Sequence, residues 1–399
     1  MPPTKAGHQL LNWASHIDTN TLEQARETAS MPFVSPHVAL MPDAHAGKGS
    51  AVGTVIPTNR AVIPAAVGVD IGCGMIAART QFTKDDIDDL VESTGTGLDV
   101  LRHAVEAAIP LSPGNYNLTD ALDKWYAEPK IRELTELAER NNIDLTHSPK
   151  WREQLGSLGG GNHFIELCLD EDDRVWMFLH SGSRGVGNKI AQKHIKIAQK
   201  LCAQWHIQLP NKDLAYLPQG TPEFERYITE LRWAQRFAYL NRAEMMDRFA
   251  HVLGAWMGST VEESERINCH HNYTELEEHY GKTVWLTRKG AVNAHQGVKA
   301  VIPGSMGTRS YVVTGKGSQP GLCSAPHGAG RQFSRTEAKK RFTEADLAAA
   351  MAGIEYRHGA EWIDEIPAAY KDIDQVMEDA SDLVSVDHVL RQILNVKGT

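Results

Sequence analysis

VGVDIGCGM, at residues 67–75, is the stretch from which the fold and chemistry of this 399-residue chain can best be interpreted. Asp70 and Cys73 stand three positions apart among three glycines, so a single tight turn can aim both side chains at one ion. Thiolate and imidazole ligands suit zinc and other transition metals, whereas an added carboxylate makes manganese plausible. The alternative is structural, with Cys73 as a small buried group and Asp70 as a turn former. No CxxC pair or HExxH motif decides between the two.

Six more glycine- or histidine-rich segments contain most of the other residues that can carry chemistry. Glycines there permit close approach of the backbone to a ligand, and the loops would have to converge to form one site. The histidine partners for a metal would be His163, His180 and either His270 or His271. The segments are MPDAHAGKGS (41–50), GGGNHFIE (159–166), HSGSRGVGN (180–188), CHHNY (269–273), PGSMGTRS (303–310) and PHGAGR (326–331).

His327 lies among small residues that leave its imidazole accessible. Arg331 and Arg335 follow four and eight positions later, and guanidinium groups match phosphate oxygens well. A histidine beside bound phosphates can act as a nucleophile at phosphorus or as a general acid or base. The alternative is a structural histidine in a turn, and the motif alone does not exclude it.

Two of the glycine-rich loops could bind an anion through backbone N–H groups. Arg184 lies in HSGSRGVGN and Lys189 directly follows it, whereas Lys48 lies in MPDAHAGKGS. Neither loop has the spacing GxxxxGK[ST] or a GxGxxG fingerprint after a strand, so the common nucleotide-binding motifs are excluded.

Composition is typical of a folded protein, with 42% hydrophobic and 23% charged residues. The net charge of −9 argues against a generally cationic nucleic-acid binder but leaves a local basic groove open. The N-terminal residues lack the apolar core of a signal peptide, and the longest apolar stretch, 61–69, is too short for a membrane span. Five cysteines, an odd and sparse set, predict reduced thiols in the cytoplasm.

No repeat, low-complexity tract or flexible linker interrupts the sequence, so we expect one continuous domain over residues 1–399. Capping signals predict helices that begin near Thr21, Thr83 and Thr343. Apolar periodicity predicts further helices over 188–205, 226–257 and 372–394. Runs of β-branched and aromatic residues predict strands at 175–179, 283–287 and 311–314.

Taken in order, the glycine-rich blocks resemble the RtcB family of RNA ligases from about residue 31 to residue 398. The most specific blocks are VGVDIGCGM, GNHFIE, HSGSRG, HHNY, PGSMG and HGAGR. The resemblance implies an α+β fold, a single domain with a mixed β core and surrounding helices. Two departures exist: Ala44 and Ala46 replace bulkier apolar residues of the usual family motif, and 111–155 resembles the family less well. They leave the RNA substrate open.

The resemblance also implies a site with two manganese ions, GTP and a histidine that takes GMP as a phosphoramidate. His327 would be that nucleophile, and Cys73 would bridge the two ions. The implied manganese ligands are Asp70, Cys73, His163, His180 and His271. The implied guanylate contacts are Asn162, Glu166, Ser305, Ser310, Ala329, Gly330, Tyr370 and Lys397. The implied phosphate or RNA contacts are Arg184, Arg331 and Arg335.

The implied reaction joins RNA ends. A 2′,3′-cyclic phosphate opens to a 3′-phosphate, GMP passes from the histidine to that phosphate, and a 5′-hydroxyl displaces GMP. Broken tRNA and rRNA are both candidate substrates, and the need for an activating protein partner stays open. One rival function is a metal-dependent phosphatase or cyclic phosphodiesterase that uses the same ligands without ligation. Another is an RNA-binding protein without activity.

Overall fold

Two β-sheets share an apolar core, and helices cover their outer faces. The computed structural model describes residues 4–7, 9–118 and 127–398, the first of these ranges by its backbone only. The strands are β1 Thr4–Gly7, β2 Leu10–Asn12, β3 Val38–His45, β4 Val52–Thr58, β5 Ala61–Val62, β6 Gly74–Thr83, β7 Phe164–Leu169, β8 Arg174–Ser181, β9 Leu217–Pro218, β10 Glu263–His270, β11 Asn272–His279, β12 Lys282–Lys289, β13 Ala291–Asn293, β14 Lys299–Ile302, β15 Ser310–Gly315, β16 Ser324–Pro326, β17 Glu355–Tyr356 and β18 Val384–Lys397.

The larger sheet has the strand order β10-β6-β8-β7-β18-β15-β14, and β17 adds to β18 in parallel. Its two edge strands approach each other, since Lys299 of β14 forms an ion pair with Glu265 of β10, so the sheet nearly closes on itself. The smaller sheet has the order β1-β2-β3-β4-β12-β11, in which only β2 and β3 run parallel. Side chains of both sheets meet in one cluster that includes Met41, Trp176 and Leu286. This mixed β core with surrounding helices confirms the expected fold class.

Eleven α-helices lie in the described ranges. They are α1 Thr19–Ala29, α2 Pro64–Val67, α3 Lys84–Thr94, α4 Leu98–Ala108, α5 Ala127–Arg140, α6 Trp151–Gln154, α7 Arg184–Gln204, α8 Pro222–Met257, α9 Arg335–Arg341, α10 Glu344–Ala350 and α11 Ile373–Asp379. Short 3₁₀ turns occupy Lys212–Leu214, Ala360–Glu365 and Pro367–Ala369. None of these helices is both long and apolar enough to cross a membrane.

Most predicted elements are confirmed. The three predicted strands fall within β8, β12 and β15, and the two long predicted helices correspond to α7 and α8. Thr83 and Thr343 both cap their helices through complete capping boxes, each with an aspartate three positions later.

Two predictions of local structure are wrong. The first helix is capped by Asp18, whose carboxylate accepts the backbone N–H of Thr21, so the helix begins two residues before Thr21. The predicted helix at 372–394 is a seven-residue helix, α11, followed by the 14-residue strand β18. Valines at 384, 386, 389 and 396 favour a strand, and pairing with β7 and β15 on either side satisfies its backbone.

Candidate active site

The turn between α2 and β6 carries Asp70 and Cys73. Gly72 has φ of 70°, and a Cβ there would lie 2.9 Å from the Ala238 Cβ of α8, so this position requires glycine. The buried guanidinium of Arg242, also on α8, donates to the carbonyl of Gly72 at 2.8 Å and to that of Ser181 at 3.1 Å. The turn is thereby fixed against the end of β8.

Five predicted ligands converge into two triads that share Cys73. Asp70, Cys73 and His163 form one triad, and Cys73, His180 and His271 form the other, with all ligand atoms of each triad within 4.8 Å of one another. The Cys73 Sγ lies 3.4 Å from His163 Nε2 and 3.3 Å from His180 Nε2. This sulfur is therefore close to the imidazoles of both triads.

The tautomers of His180 and His271 indicate that a cation belongs between them. His180 Nδ1 faces the carbonyl of Asn162 at 3.2 Å, which can only accept, so Nδ1 carries the proton. His271 Nδ1 faces Asn272 Oδ1 at 3.2 Å, and that oxygen also accepts from the backbone N–H of Gly290. Both Nε2 atoms therefore present lone pairs, only 2.9 Å apart. A metal ion between them removes the repulsion.

The ionisation of the cluster also fits cation binding. Burial, together with the neighbouring histidines, keeps the pKa of His180 and of His271 well below the usual imidazole range, so both rings are neutral and could ligate a cation. Burial acts against ionisation of Asp70, but the hydrogen bond and charge of His163 prevail and lower its pKa to about 2. Burial and the Asp70 carboxylate raise the pKa of the Cys73 thiol, and a bound cation would reverse that effect.

The structure separates the two adjacent histidine candidates. His271 lies in the second triad, whereas His270 Nδ1 lies 2.8 Å from the Gly72 carbonyl and 3.1 Å from Arg242 Nη2. His270 thus supports the turn that carries Cys73 and takes no part in either triad. His163 is held by its Nδ1, 2.9 Å from the Leu158 carbonyl, and its Nε2 lies 3.1 Å from the Asp70 carboxylate.

His327 lies directly beside this cluster, with its ring centroid 4.6 Å from that of His271. Asp43, fully buried in β3, accepts hydrogen bonds from His327 Nδ1 at 2.6 Å and from the His327 backbone N–H at 3.1 Å. The carboxylate fixes the proton on Nδ1, which leaves Nε2 as the nitrogen with a free lone pair. Such an arrangement makes the imidazole a nucleophile or a base.

A cavity of about 240 Å³ adjoins His327. Seven of the eight predicted guanylate contacts line it, together with His327, Arg331 and Arg335. Ser310 is the exception: it is buried at the start of β15, and its hydroxyl has no hydrogen-bond partner among the described residues. Arg184 also lies outside the cavity lining, since its guanidinium packs over Gly159 and lies 3.3 Å from the Ser157 hydroxyl.

Glu166, on β7, provides a buried carboxyl in this cavity. Burial raises its pKa to about 8, although a hydrogen bond from Asn395 at 2.8 Å and the charge of Lys397 act in the opposite direction. The polar atoms of a buried carboxyl must be satisfied by hydrogen bonds, so the group favours a ligand that presents donors.

Glu365 organises the cationic side of the cavity. Its carboxylate lies 3.0 Å from Lys397 Nζ, 2.7 Å from Arg335 Nη1, 3.3 Å from Arg331 Nη1 and 2.7 Å from the Tyr370 hydroxyl. Asp364 adds a second carboxylate, 2.6 Å from Arg335, and Lys339 adds a fourth cation, 3.3 Å from Asp364, so a net positive charge remains there, which suits phosphate.

Sequence reasoning missed two residues of this site, Asp43 and Glu365. Asp43 carried a usable signal, because it is a charged residue inside an apolar stretch of β3 that the glycine-rich motif at 41–50 includes. Glu365 carried none, because it lies in an unremarkable 3₁₀ turn, 38 positions after His327.

An oriented histidine beside two triads that could each hold a cation is an arrangement typical of metal-dependent enzymes. Residues 24–398 match the family described as tRNA-splicing ligase RtcB. The chain is 46% identical to RNA-splicing ligase RtcB of Escherichia coli (strain K12), over 96% of this chain and 95% of that protein. It is 30% identical to tRNA-splicing ligase RtcB of Pyrobaculum aerophilum, over 93% and 89% of the two chains. The chain therefore belongs to the RtcB family of RNA ligases.

Proposed function

We propose that this protein joins RNA 3′-phosphate or 2′,3′-cyclic phosphate ends to 5′-hydroxyl ends through a GMP adduct on His327. The observation that carries the proposal is the position of His327. Asp43 orients its ring, which lies between the two triads that share Cys73 and the cavity. A nucleophilic histidine, cation ligands and a phosphate-binding cavity are the parts that nucleotidyl transfer needs.

The two triads would hold two manganese ions. Asp70, Cys73 and His163 would hold one ion, and Cys73, His180 and His271 would hold the other. Mixed thiolate, imidazole and carboxylate donors are compatible with manganese. When bound, the ions supply positive charge that stabilises oxygens on the reacting phosphates.

The reaction would run through three transfers, the first of which loads the nucleotide onto His327. His327 Nε2 attacks the α-phosphorus of GTP, forming an N–P bond as the bond to pyrophosphate breaks, while Asp43 holds the Nδ1 proton. A 3′-phosphate oxygen of the RNA then attacks the same phosphorus and releases the imidazole. The 5′-hydroxyl finally attacks the activated 3′-phosphate, loses its proton and expels GMP. A cyclic phosphate is first opened by water.

Specificity for guanine would come from Glu166. The N1–H and N2–H groups of guanine are both donors, and an ionised carboxylate can accept both, whereas adenine offers an acceptor at N1. Asn162, Ser305, Ala329, Gly330, Tyr370 and Lys397 would contact the rest of the guanylate from the cavity walls, and Ser310 would contribute from behind them.

Arg331, Arg335 and Arg184 would contact phosphates of the nucleotide or of RNA. Arg335 suits this role best, because its side chain is 43% exposed and its ion pairs with Asp364 and Glu365 both involve Nη1, whereas Arg331 is committed to Glu365, Tyr370 and two backbone carbonyls. The substrate class is broken tRNA or rRNA. The chain would work as one catalytic domain in the cytoplasm, where its five unpaired thiols stay reduced.

Incubation with α-labelled GTP and manganese, followed by denaturing electrophoresis, tests the proposal directly. A labelled band that survives denaturation, disappears in acid and is absent from His327→Ala is the expected result. Manganese content should be unchanged in that variant, because His327 belongs to neither triad. RNA-end hydrolysis without a labelled band, in protein that has bound manganese, would contradict the ligase mechanism and favour a phosphatase.

A further inference from the structure

A third group of ligating side chains lies far from the catalytic cluster. Glu277 and His279 lie on β11, and His295 lies just after β13. Glu277 is six residues along β11 from His271, the position before that strand, so the distance is about 20 Å at the rise of an extended strand. The ligand atoms of the three side chains lie within 4.8 Å of one another. None of them takes part in the function proposed above.

The distances between the ligand atoms of this group fit the tetrahedral coordination of a metal ion. His279 Nε2 lies 2.9 Å from Glu277 Oε2, and His295 Nε2 lies 3.5 Å from the same oxygen. Zinc bonds of about 2.0–2.1 Å in tetrahedral geometry place neighbouring ligand atoms about 3.3 Å apart. The two measured distances lie on either side of that value, so an ion needs only small side-chain shifts.

The tautomer of His295 leaves a lone pair aimed at the Glu277 carboxylate. Asn293 Oδ1 accepts from the backbone N–H of His295 at 3.0 Å, which identifies this atom as the oxygen. The same oxygen lies 2.7 Å from His295 Nδ1, which therefore carries the ring proton. Nε2 thus has no proton to share with Glu277, and a cation between the two atoms resolves the conflict. Asn293 is the kind of outer partner that orients metal-binding histidines.

The charge around the group also favours a cation. The buried Arg288 forms ion pairs with Glu277 and, at 3.6 Å, with Glu275. One positive charge thus faces two carboxylates, so a net negative charge remains. Arg288 also donates to the Tyr273 hydroxyl and the Ser324 hydroxyl. These bonds fix the guanidinium, which in turn holds the Glu277 carboxylate in place.

Access is provided on one side only. The side chains of Glu277 and His279 are 8% and 4% exposed, whereas that of His295 is 40% exposed. An ion could enter past His295, and water could complete the tetrahedron from that side. We propose that Glu277, His279 and His295 bind a divalent transition-metal ion, zinc by preference, which ties the end of β11 to the segment after β13.

Titration with Co²⁺ tests the proposal, because the absorption spectrum of the bound ion depends on its coordination geometry. The titration uses Cys73→Ala protein, in which the two triads have lost the ligand that they share. We expect one equivalent of Co²⁺ with tetrahedral d–d absorption and no thiolate charge-transfer band. Adding His295→Ala should weaken binding by more than about 100-fold, since losing a direct ligand costs at least as much as losing an outer partner. His37→Ala is the matched control, because His37 Nε2 bonds the Pro320 carbonyl instead.

A second measurement avoids the Cys73 substitution. Manganese-loaded protein equilibrated with micromolar zinc should hold one zinc more than His295→Ala treated alike, by elemental analysis. Equal zinc content in the two proteins, or a cobalt spectrum that His295→Ala leaves unchanged, would overturn the proposal. Neither readout depends on ligase activity, so the outcome is independent of the function proposed above.

Discussion

The raised pKa of Glu166 predicts that guanine binding strengthens as the pH rises. Burial places this pKa at about 8, so most of the carboxyl is protonated at neutral pH before ligand binds. Only the ionised form accepts both guanine donors, so binding requires loss of the proton. From pH 8 down to pH 6 the ionised fraction of Glu166 falls about 50-fold, and the affinity for the guanine ligand falls with it. Near pH 6 the decrease is close to tenfold per pH unit. Above pH 8 the affinity should level off.

Calorimetric titration with GMP in the presence of a chelator measures this dependence without metal ions or adduct formation. Glu166→Gln is the matched control, since glutamine keeps the shape and does not titrate, while every other group of the protein and of GMP is the same in both titrations. The difference in log affinity between the two proteins should rise with pH up to about pH 8. Identical pH profiles, or an affinity of the unmodified protein that falls as pH rises, would refute the assignment of Glu166 as the guanine acceptor.

Three further predictions concern the site and its support. Asp43→Asn removes a charged hydrogen bond of about 1.5–3 kcal/mol from His327, so adduct formation should slow about 10- to 150-fold with metal content unchanged, as followed by labelled GTP. Cys73→Ala should lose manganese and ligation together, measured by metal analysis and RNA joining; retention of both ions would contradict the shared-thiol arrangement. Arg242→Met removes the guanidinium from the buried Ser181 carbonyl and from Asn268 Oδ1, while the Gly72 carbonyl keeps His270 Nδ1, and should lower the free energy of unfolding by about 2 kcal/mol or more, which denaturant titration would show.

The sequence predicted which residue types could act as metal ligands, but not which of these side chains would lie together in the fold. Cys73 and His180 meet because β6 and β8 pair with Met75 opposite His180, and Phe164 of β7 lies opposite His180 on the other side. That register depends on packing between segments about 100 residues apart, and no local pattern contains it. The choice of His271 over His270 came only from the resemblance.

The misassigned helix at 372–394 has a similar cause. Its last eleven residues, 384–394, belong to a strand that is exposed at several early positions and buried toward its end, so apolar spacing alone fits either structure. Pairing with β7 and β15 decides the outcome, and both partners lie far away in the chain. This strand also brings Lys397 to the cavity and Asn395 to the Glu166 carboxyl, so the wrong prediction concealed how the C-terminal residues reach the site.

If Cys73 ligates both of the proposed ions, one sulfur belongs to two coordination shells and the loading of the ions would be a linked equilibrium. The Cys73 proton would then be lost only once, when the first ion binds, so the second ion would meet a thiolate that is already formed. Filling of the second position should therefore depend less on pH than filling of the first, with repulsion between the cations acting against it. Oxidation of this one thiol would remove a ligand from both positions at once and switch the centre off as a unit.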